Sequence, residues 1–361
     1  MRSVFSIAVA GLSLTSSLVS AAPVAKRDGF PGGAVFPLAD GFPTPNTDQL
    51  NTIQKQAFGT LPNGPPPATI STDGLTNLKL IALNEVFEVA FFTELVYNLT
   101  NKLPGYDLDY AHDFVTDTLK AVIAQEELHA LNANGALAHF NAAPIQPCKY
   151  NFPVSKFQDA ISLAATFTDV VLGTLQDVNQ IFAKNGDDGL VRGVSSVIGQ
   201  EGEQEGFYHV LQNKRPNTLP FLTTSVRDFA FTAIQSFTIP GSCPNINTIP
   251  LKTFQPLNIL STPTATTGQL KFSFQASKAG TTDYANKLSL VYINQQNLPV
   301  VEKLQDVVVS GDVVTFDALF PYDQFEMNGL TIAAVVNGAG PFANADAVAQ
   351  AAVFGPGLIE I

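Results

Sequence analysis

The sequence predicts an α+β multidomain protein, in which an N-terminal four-helix bundle precedes a small β-rich domain of the sandwich type. The 361-residue chain is 45% hydrophobic and only 14% charged, which is ordinary globular composition and sufficient length for two domains. Apolar residues first recur in steps of three and four, and the period falls to two beyond about Pro250. These patterns predict a signal peptide at 1–21, a pro-segment and arm at 22–73, a helical bundle at 74–245 and a β-rich domain at 250–361.

The N-terminus has the features of a secretory signal. A basic start is followed by an apolar run at 4–14 and by small residues up to Ala21, where cleavage is expected. The run is too short and too rich in serine to span a bilayer. Lys26 and Arg27 form a dibasic pair, which predicts trimming to a mature start at Asp28; the alternative is two exposed charges. The sequence therefore predicts a secreted, extracellular protein.

The predicted mature chain is acidic. Residues 1–27 hold three cations and no acid, so their removal changes the formal charge from −12 to −15. A negative surface argues against nucleic acid or an anionic membrane as the partner. It is compatible with cation binding, although acidic surfaces more often serve solubility.

The chain before the bundle is predicted to be an extended arm. Residues 28–73 are rich in Gly and Pro, as at 30–33 and 64–67, and they show no sustained periodicity. We expect this arm to lie over the domain that follows.

Two helices are predicted next, with acidic residues on the stripe that faces the core. In the first helix, Glu85 and Glu88 continue an apolar series with steps of three and four residues. The second helix, predicted over 110–140, carries Glu126 and His129 as a Glu-x-x-His motif. Residues at this spacing reach the same side of a helix, so both side chains are predicted to point inward.

The segment 141–153 is predicted to be the long crossover of a ferritin-like bundle. It contains three prolines and no helical pattern. Its length in the extended state is roughly 43–47 Å, and a helix of about 30 residues is roughly 45 Å long. The segment can therefore run the length of the bundle, as the single crossover of ferritin-like topology does.

The third and fourth helices differ in their acidic residues. The third has an apolar stripe without carboxylates, and its aspartates fall off that stripe: Asp159, Asp169 and Asp177. The fourth begins after an Asp-Asp N-cap region at 187–188 and places Glu201 and Glu205 on its inward stripe. A further, shorter helix is predicted over 221–239.

The C-terminal part contains short runs typical of strands. The clearest are at 270–276, 307–309, 313–316, 330–336 and 351–354. No catalytic cluster is evident in them. We therefore predict a structural or interaction role for this domain, with a cell wall or a protein as its partner.

The inward acidic residues predict a metal site inside the bundle. Ionised glutamates are costly to bury without cations or protons that offset their charge. In the alternative, some stripes are displaced by one residue and the glutamates lie at the bundle edge, in water or paired with lysine. Four-helix bundles build metal sites from Glu residues and Glu-x-x-His motifs, which gives these candidate ligands: Glu85, Glu88, Glu126, His129, Glu201 and Glu205.

The segment LNEVFEVAFF at 83–92 resembles the Leu-Glu-x-Leu-Glu-x-Ala-Phe-Tyr signature that opens the ferritin-like domain of secreted stress-response and late-sexual-development proteins of filamentous fungi. Together with the Glu-x-x-His motif, the resemblance covers roughly residues 70–240, and bacterial desiccation-related proteins are more distantly similar. It implies a di-iron carboxylate ancestry, in which these residues match the expected ligand positions: Glu85, Glu126, His129 and Glu201.

Two positions depart from the family's pattern. The resemblance implies a Glu at the position of Thr168 and a His at the position of Gln204. One half of the site is thus intact and the other incomplete, with Glu88 and Glu205 as the carboxylates available to substitute. The remaining histidines are interpreted as exposed or packed residues rather than ligands: His112, His139 and His209.

The sequence leaves several functions open. The leading hypothesis is a secreted ferritin-like protein with a degenerate metal site, which holds iron or manganese, or no metal, and has a binding or structural role in stress or development. The second is an active di-iron or di-manganese oxidase or ferroxidase, in which paired ions activate oxygen. The third is a hydrolase with an inward Glu pair as acid and base, which a sealed bundle core disfavours.

Two covalent modifications are predicted. Cys148 and Cys243 are the only cysteines of a chain that is expected to enter an oxidising route, so a disulfide is the expected state. It would join the crossover to the end of the bundle. Asn98 begins the only Asn-x-Ser/Thr sequon and is a candidate glycan site.

Overall fold

The structure is a computed structural model that describes residues 33–217 and 219–361. The predicted signal peptide, the dibasic pair and the expected mature start at Asp28 lie outside the described residues. The described chain has a helical N-terminal part followed by antiparallel sheets, so the predicted mixture of helix and sheet is confirmed. No helix in this part of the chain is long and apolar enough to cross a membrane.

The described N-terminal part contains the helices α1 Thr47–Gln56, α2 Thr72–Thr100, α3 His112–His139, α4 Phe157–Asn185, α5 Val191–Leu211 and α6 Arg227–Gln235. The long helices begin and end within a few residues of the predicted bounds, because clear signals define their ends. The Ser71 side chain caps the first turn of α2. Gly186 ends α4 in the left-handed conformation, and a 3₁₀ turn at Asp188–Leu190 leads into α5.

The arm before α2 contains a helix that the sequence pattern did not predict. Ile53 is the one buried side chain of α1, so the apolar periodicity is weak, but a capping box of Asn46 and Gln49 defines its start. The arm lies over α2 and α3, as expected, because Phe42 is fully buried against Val86, Val89 and Ala130. With this cover, α2 is buried on most of its circumference rather than on one stripe.

The crossover between α3 and α4 contributes to the helical core. The Phe152 ring makes edge contacts with Phe87 and Phe91 of α2, with centroids 5.6 and 5.1 Å apart. Cys148 in this crossover forms a disulfide with Cys243, which follows α6. The predicted covalent link between the crossover and the end of the helical part is therefore confirmed.

The predicted helix over 221–239 is shorter in the structure, where α6 begins only at Arg227. The residues before it are non-helical and bond to the sheet part: the Thr223 hydroxyl donates to the carbonyl of Leu330 at 2.6 Å. Gly173 of α4 faces this segment, and an added Cβ there would collide with the Thr223 carbonyl oxygen. Tertiary contacts therefore override the local helical pattern.

The C-terminal part contains the strands β1 Asn258–Ile259, β2 Gly268–Gln275, β3 Leu288–Asn294, β4 Val300–Lys303, β5 Gln305–Ser310, β6 Val313–Phe320, β7 Leu330–Asn337 and β8 Ala352–Glu360. They form two four-stranded antiparallel sheets, with the orders β1-β2-β6-β5 and β4-β3-β7-β8. Short helices lie between strands at α7 Tyr284–Lys287, α8 Tyr322–Phe325 and α9 Ala345–Ala351.

The second sheet is covered on both faces. One face packs on the first sheet, where the rings of Phe274 and Phe354 stack with centroids 4.4 Å apart. The other face packs on the helical part and on α9 through a cluster that includes Val170 of α4 and Phe229 of α6. Burial of both faces explains why β3 and β7 are nearly continuous apolar runs. The end of β8 also brings Glu360 near α4 and α5.

Candidate metal centre

Four of the predicted ligands converge between three helices. Glu85 comes from α2, Glu126 and His129 from α3 and Glu201 from α5, and one donor atom of each lies within 4.8 Å of the others. Nδ1 of His129 lies 2.8 Å from Oε2 of Glu126 and 3.5 Å from Oε2 of Glu85. Its distance to Oε1 of Glu201 is 3.9 Å. We call these four residues the first cluster. In it, one imidazole nitrogen faces three carboxylates.

The first cluster buries carboxylate oxygens that lack hydrogen-bond donors. Glu85, Glu126 and Glu201 are 0% exposed, and the His129 side chain is 16% exposed. Neither oxygen of Glu85 or of Glu201 has a hydrogen-bond partner. Buried carboxylates without donors are costly unless a cation or protons offset their charge. The donor set therefore fits a metal ion.

Burial dominates the electrostatics of the first cluster. It raises the pKa of Glu85 to about 7, although contact with His129 opposes the shift. It also raises the pKa of Glu201 well above its ordinary range, and repulsion from Glu85 and Glu126 adds to this. Burial lowers the pKa of His129, but Glu126 and Glu85 outweigh it and the net shift is upward. Without a cation, the cluster thus favours bound protons.

Glu88 lies beside the first cluster rather than in it. It is 0% exposed, its Oε1 accepts a hydrogen bond from Nδ2 of Asn84 at 3.0 Å, and its Oε2 has no partner. Burial raises the pKa of Glu88 well above its ordinary range, and repulsion from Glu126 and Glu201 adds to the shift. Glu88 is therefore a neighbouring carboxyl group whose neutral form is favoured.

The two positions that depart from the family pattern are both buried. Nε2 of Gln204 donates to Oε1 of Glu126 at 2.6 Å and to Oε1 of Gln125 at 3.1 Å. Thr168 is 0% exposed, and its hydroxyl has no hydrogen-bond partner. Since Oε2 of Glu126 faces His129, each of its oxygens has its own partner. The amide of Gln204 thus binds the oxygen of Glu126 that does not face His129.

Glu205 lies outside the first cluster, although the sequence pattern grouped it with the other glutamates. Its Oε1 lies 2.6 Å from Nε2 of His209 on the same helix. Together with Asp169 of α4, these residues form a second cluster, in which one donor atom of each lies within 4.8 Å of the others. All three members of the second cluster are buried.

The sequence pattern missed Asp169 and His209 as site residues. Asp169 lies off the apolar stripe of α4, but residues 164–175 are all buried, so a position off that stripe is still interior. His209 is packed, not exposed. The signal that could have identified it is its spacing of four residues from Glu205, which places both on one side of α5.

The other predicted residues lie apart from both clusters. Nε2 of His112 lies 3.0 Å from the carbonyl oxygen of Leu99, and Nε2 of His139 lies 3.1 Å from that of Pro67. Asn98 is only 6% exposed on α2. The sequon remains a prediction of a glycan site, although a bulky glycan needs an exposed attachment point.

Comparison with protein-family models and with curated proteins finds no match to this chain. The resemblance to secreted fungal ferritin-like proteins therefore remains a prediction carried by its motif residues.

Proposed function

We propose that this protein is a secreted ferritin-like protein with a binding or structural role in stress response or development, and that it binds a single divalent metal ion, iron or manganese. Glu85, Glu126, His129 and Glu201 would hold the ion. The observation that carries the proposal is Nδ1 of His129, which lies 2.8, 3.5 and 3.9 Å from three carboxylates. Mixed imidazole and carboxylate donors suit these ions.

The side chains around the first cluster support this role because they orient its ligands. Oε1 of Gln125 accepts hydrogen bonds from Nε2 of Gln200 and Nε2 of Gln204, both at 3.1 Å, and Gln204 also bonds to Glu126. This network connects α3 to α5 and fixes the Glu126 carboxylate, as outer-shell hydrogen bonds do at metal sites. A bound ion would supply Lewis-acid chemistry and, in the case of iron, a redox centre.

The same contacts favour one ion over two. A di-metal oxidase needs a second set of ligands, and the resemblance implies these at Thr168 and Gln204. A hydroxyl and an amide stand there instead, and the amide is already bonded to Glu126. The chain therefore offers one complete donor set in the first cluster, which is why we rank metal binding above oxygen-activating catalysis.

Secretion is part of the proposal. The disulfide between Cys148 and Cys243 supports it, since such bonds form and persist mainly in oxidising compartments.

The test is the metal content of the Glu126→Gln variant. Metal-free protein is loaded with Mn²⁺ without oxygen, and bound ions per chain are measured by elemental analysis. We expect Glu126→Gln to lose one ion per chain and to bind Mn²⁺ at least about 100-fold more weakly, since even outer-shell changes reach that size. Paramagnetic resonance of the wild type should show an isolated ion.

Glu127→Gln is the matched control. Glu127 is the next residue on α3 and is also buried, but it lies near Asp40 of the arm. Burial and Asp40 raise the pKa of Glu127 to about 9, so glutamine closely mimics its neutral form. Equal metal content in Glu126→Gln and wild type would overturn the proposal. Loss of two coupled ions, with oxygen-dependent ferroxidase turnover in the wild type, would replace it with the di-metal oxidase.

A further inference from the structure

The second cluster has the donor atoms of a metal site outside the positions that the family resemblance assigns. Asp169 comes from α4, and Glu205 and His209 come from α5 at a spacing of four residues. Their relative exposures are 6%, 3% and 3%. Two carboxylates and one imidazole thus meet inside the protein within 4.8 Å.

Glu205 and Glu360 have buried carboxylate oxygens without hydrogen-bond partners. Oε2 of Glu205 is buried without a hydrogen-bond partner, and Oε1 has only the contact with His209. Glu360, at the end of β8, has both carboxylate oxygens buried and without a partner. Burial raises the pKa of Glu360, and repulsion from Asp169 and Glu205 contributes to the shift. Glu360 is therefore a further buried carboxyl group whose neutral form is favoured.

The chain supplies too little positive charge to offset these groups. Among the described residues, no lysine or arginine nitrogen lies within 4.0 Å of the carboxylates of Asp169, Glu205 or Glu360. Lys214 is the cation that influences all three from further away. The region thus keeps an excess of buried negative charge, which requires a cation or protons.

His209 is oriented as metal-bound histidines commonly are. Its Nδ1 lies 3.5 Å from the carbonyl oxygen of Pro216, and its Nε2 lies 2.6 Å from Oε1 of Glu205. Metal-bound histidines usually donate one ring N–H to a carbonyl or carboxylate, which fixes the other nitrogen toward the ion. Nε2 of His209 is therefore the nitrogen available to a ligand.

We propose that Asp169, Glu205 and His209 bind a second divalent ion of the zinc type. Imidazole nitrogens and carboxylate oxygens both bind Zn²⁺, and a set of three protein ligands leaves its fourth position open. Because the ligands come from α4 and α5, the ion ties these two helices together.

The test uses Glu126→Gln as the background, so that the first cluster does not contribute. Metal-free protein is titrated with Zn²⁺ against a chromophoric chelator. We expect one Zn²⁺ per chain in this background. Adding Asp169→Asn should weaken binding by roughly 100-fold or more, since even outer-shell changes reach that size. His112→Gln is the matched control and should leave the affinity unchanged.

Further variants keep the proposal testable if one variant fails to fold. Glu205→Gln should give the same loss as Asp169→Asn, and Zn²⁺ should raise the unfolding temperature of the background but of neither double variant. If Lys214 were the natural counter-ion, Lys214→Gln would destabilise the protein and no Zn²⁺ would bind. Absence of Zn²⁺ binding in the Glu126→Gln background, or unchanged affinity after Asp169→Asn, would overturn the proposal whether or not the first cluster binds metal.

Discussion

The helix pair α2–α3 and the helix pair α4–α5 both bury acidic residues, but they arrange them differently. The first pair gives the first cluster three of its four members, with the spacing of the Glu-x-x-His motif. The second pair gives it only Glu201. The other buried acids of α4 and α5 are Asp169 and Glu205, which meet His209 in the second cluster.

The buried acids Asp169 and Glu205 each lie one residue after a position at which the resemblance implies a ligand. Asp169 directly follows Thr168, and Glu205 directly follows Gln204. One residue along an α-helix turns the side chain by about 100°. A carboxylate that is displaced by one position therefore faces a different neighbour. The acidic content of a helix pair predicts little about its metal site unless the phase of each helix is known.

Introducing ligands at Thr168 and Gln204, where the resemblance implies them, should produce the largest effect. The double variant Thr168→Glu with Gln204→His, in an Asp169→Asn background, is expected to bind two Mn²⁺ ions per chain in place of one. The physical reason is that Glu126 would lose its amide partner and could bridge two ions. Metal analysis and the magnetic coupling between the ions are the measurements.

A volume-matched control separates ligation from packing. Thr168→Gln with Gln204 unchanged, in the same Asp169→Asn background, introduces similar bulk without the metal ligands, and it should keep one ion per chain. Placing the larger side chain at the buried Thr168 position is expected to cost about 1–3 kcal/mol of stability in both variants. If the Thr168→Glu, Gln204→His variant folds and still binds one ion, the difference in metal binding between the two helix pairs depends on more than these two positions.

Much of the fold could be predicted because local signals agree with the final packing. The apolar stripes of α2 to α5, the Ser71 cap of α2 and Gly186 at the end of α4 place those helices, and alternation places β2 and β6. The strand β3 was not predicted because burial on both faces removes the alternation of apolar and polar residues. The helix α1 was not predicted because it buries only Ile53 and so has little apolar periodicity. The shortened α6 depends on the contact between Thr223 and Leu330, which no local pattern encodes.

The first cluster could be predicted because Glu126 and His129 share one helix and one face at a fixed spacing. The helix phase of Glu201 was also correct. Glu205 lies apart from Glu201 because α5 presents two interior directions, one toward Glu126 and one toward Asp169. Which direction a residue takes depends on the neighbouring helices, and a single-stripe pattern does not contain that information.

Removing the disulfide should have the next largest effect, and it tests whether the two helix pairs depend on it equally. The Cys148–Cys243 bond closes a loop with a sequence separation of 95 that contains α4 and α5 but neither α2 nor α3. The double variant Cys148→Ala with Cys243→Ala is expected to lose roughly 4–5 kcal/mol of unfolding free energy in the chain-entropy model. Denaturant titration measures this loss.

Hydrogen exchange then shows where the protection is lost. We expect the amides of α4 and α5 to exchange faster relative to wild type than those of α2 and α3, because the link constrains the former directly. Equal loss over all four helices would mean that the helical part opens as one unit. A stability loss below about 1 kcal/mol would contradict the prediction that this bond constrains the unfolded chain.

The smallest effect concerns Asp177, an acidic residue of α4 that faces the sheet part instead of the first cluster. Its Oδ2 accepts a hydrogen bond from the backbone N–H of Arg227 at 3.3 Å. Burial raises the pKa of Asp177 to about 6, repulsion from Asp346 of α9 contributes, and Arg227 opposes the shift. Asp346→Asn should therefore lower the pKa of Asp177 and weaken its effect on stability.

The sign of the pH dependence follows from the two states of Asp177. The folded carboxyl keeps its proton up to about pH 6, whereas the unfolded one releases it near its ordinary pKa of 3.8. Its contribution to stability is fully present below pH 3.8 and is lost as the pH rises through about 6. The Asp177→Asn variant does not undergo this loss. Its unfolding free energy minus that of the wild type should therefore rise by about 1–2 kcal/mol between pH 4 and pH 7. Denaturant titrations at both pH values provide the comparison. A difference in unfolding free energy that stays constant with pH would mean that Asp177 is ionised in the folded protein. In that case α4 holds no protonated acid at this position.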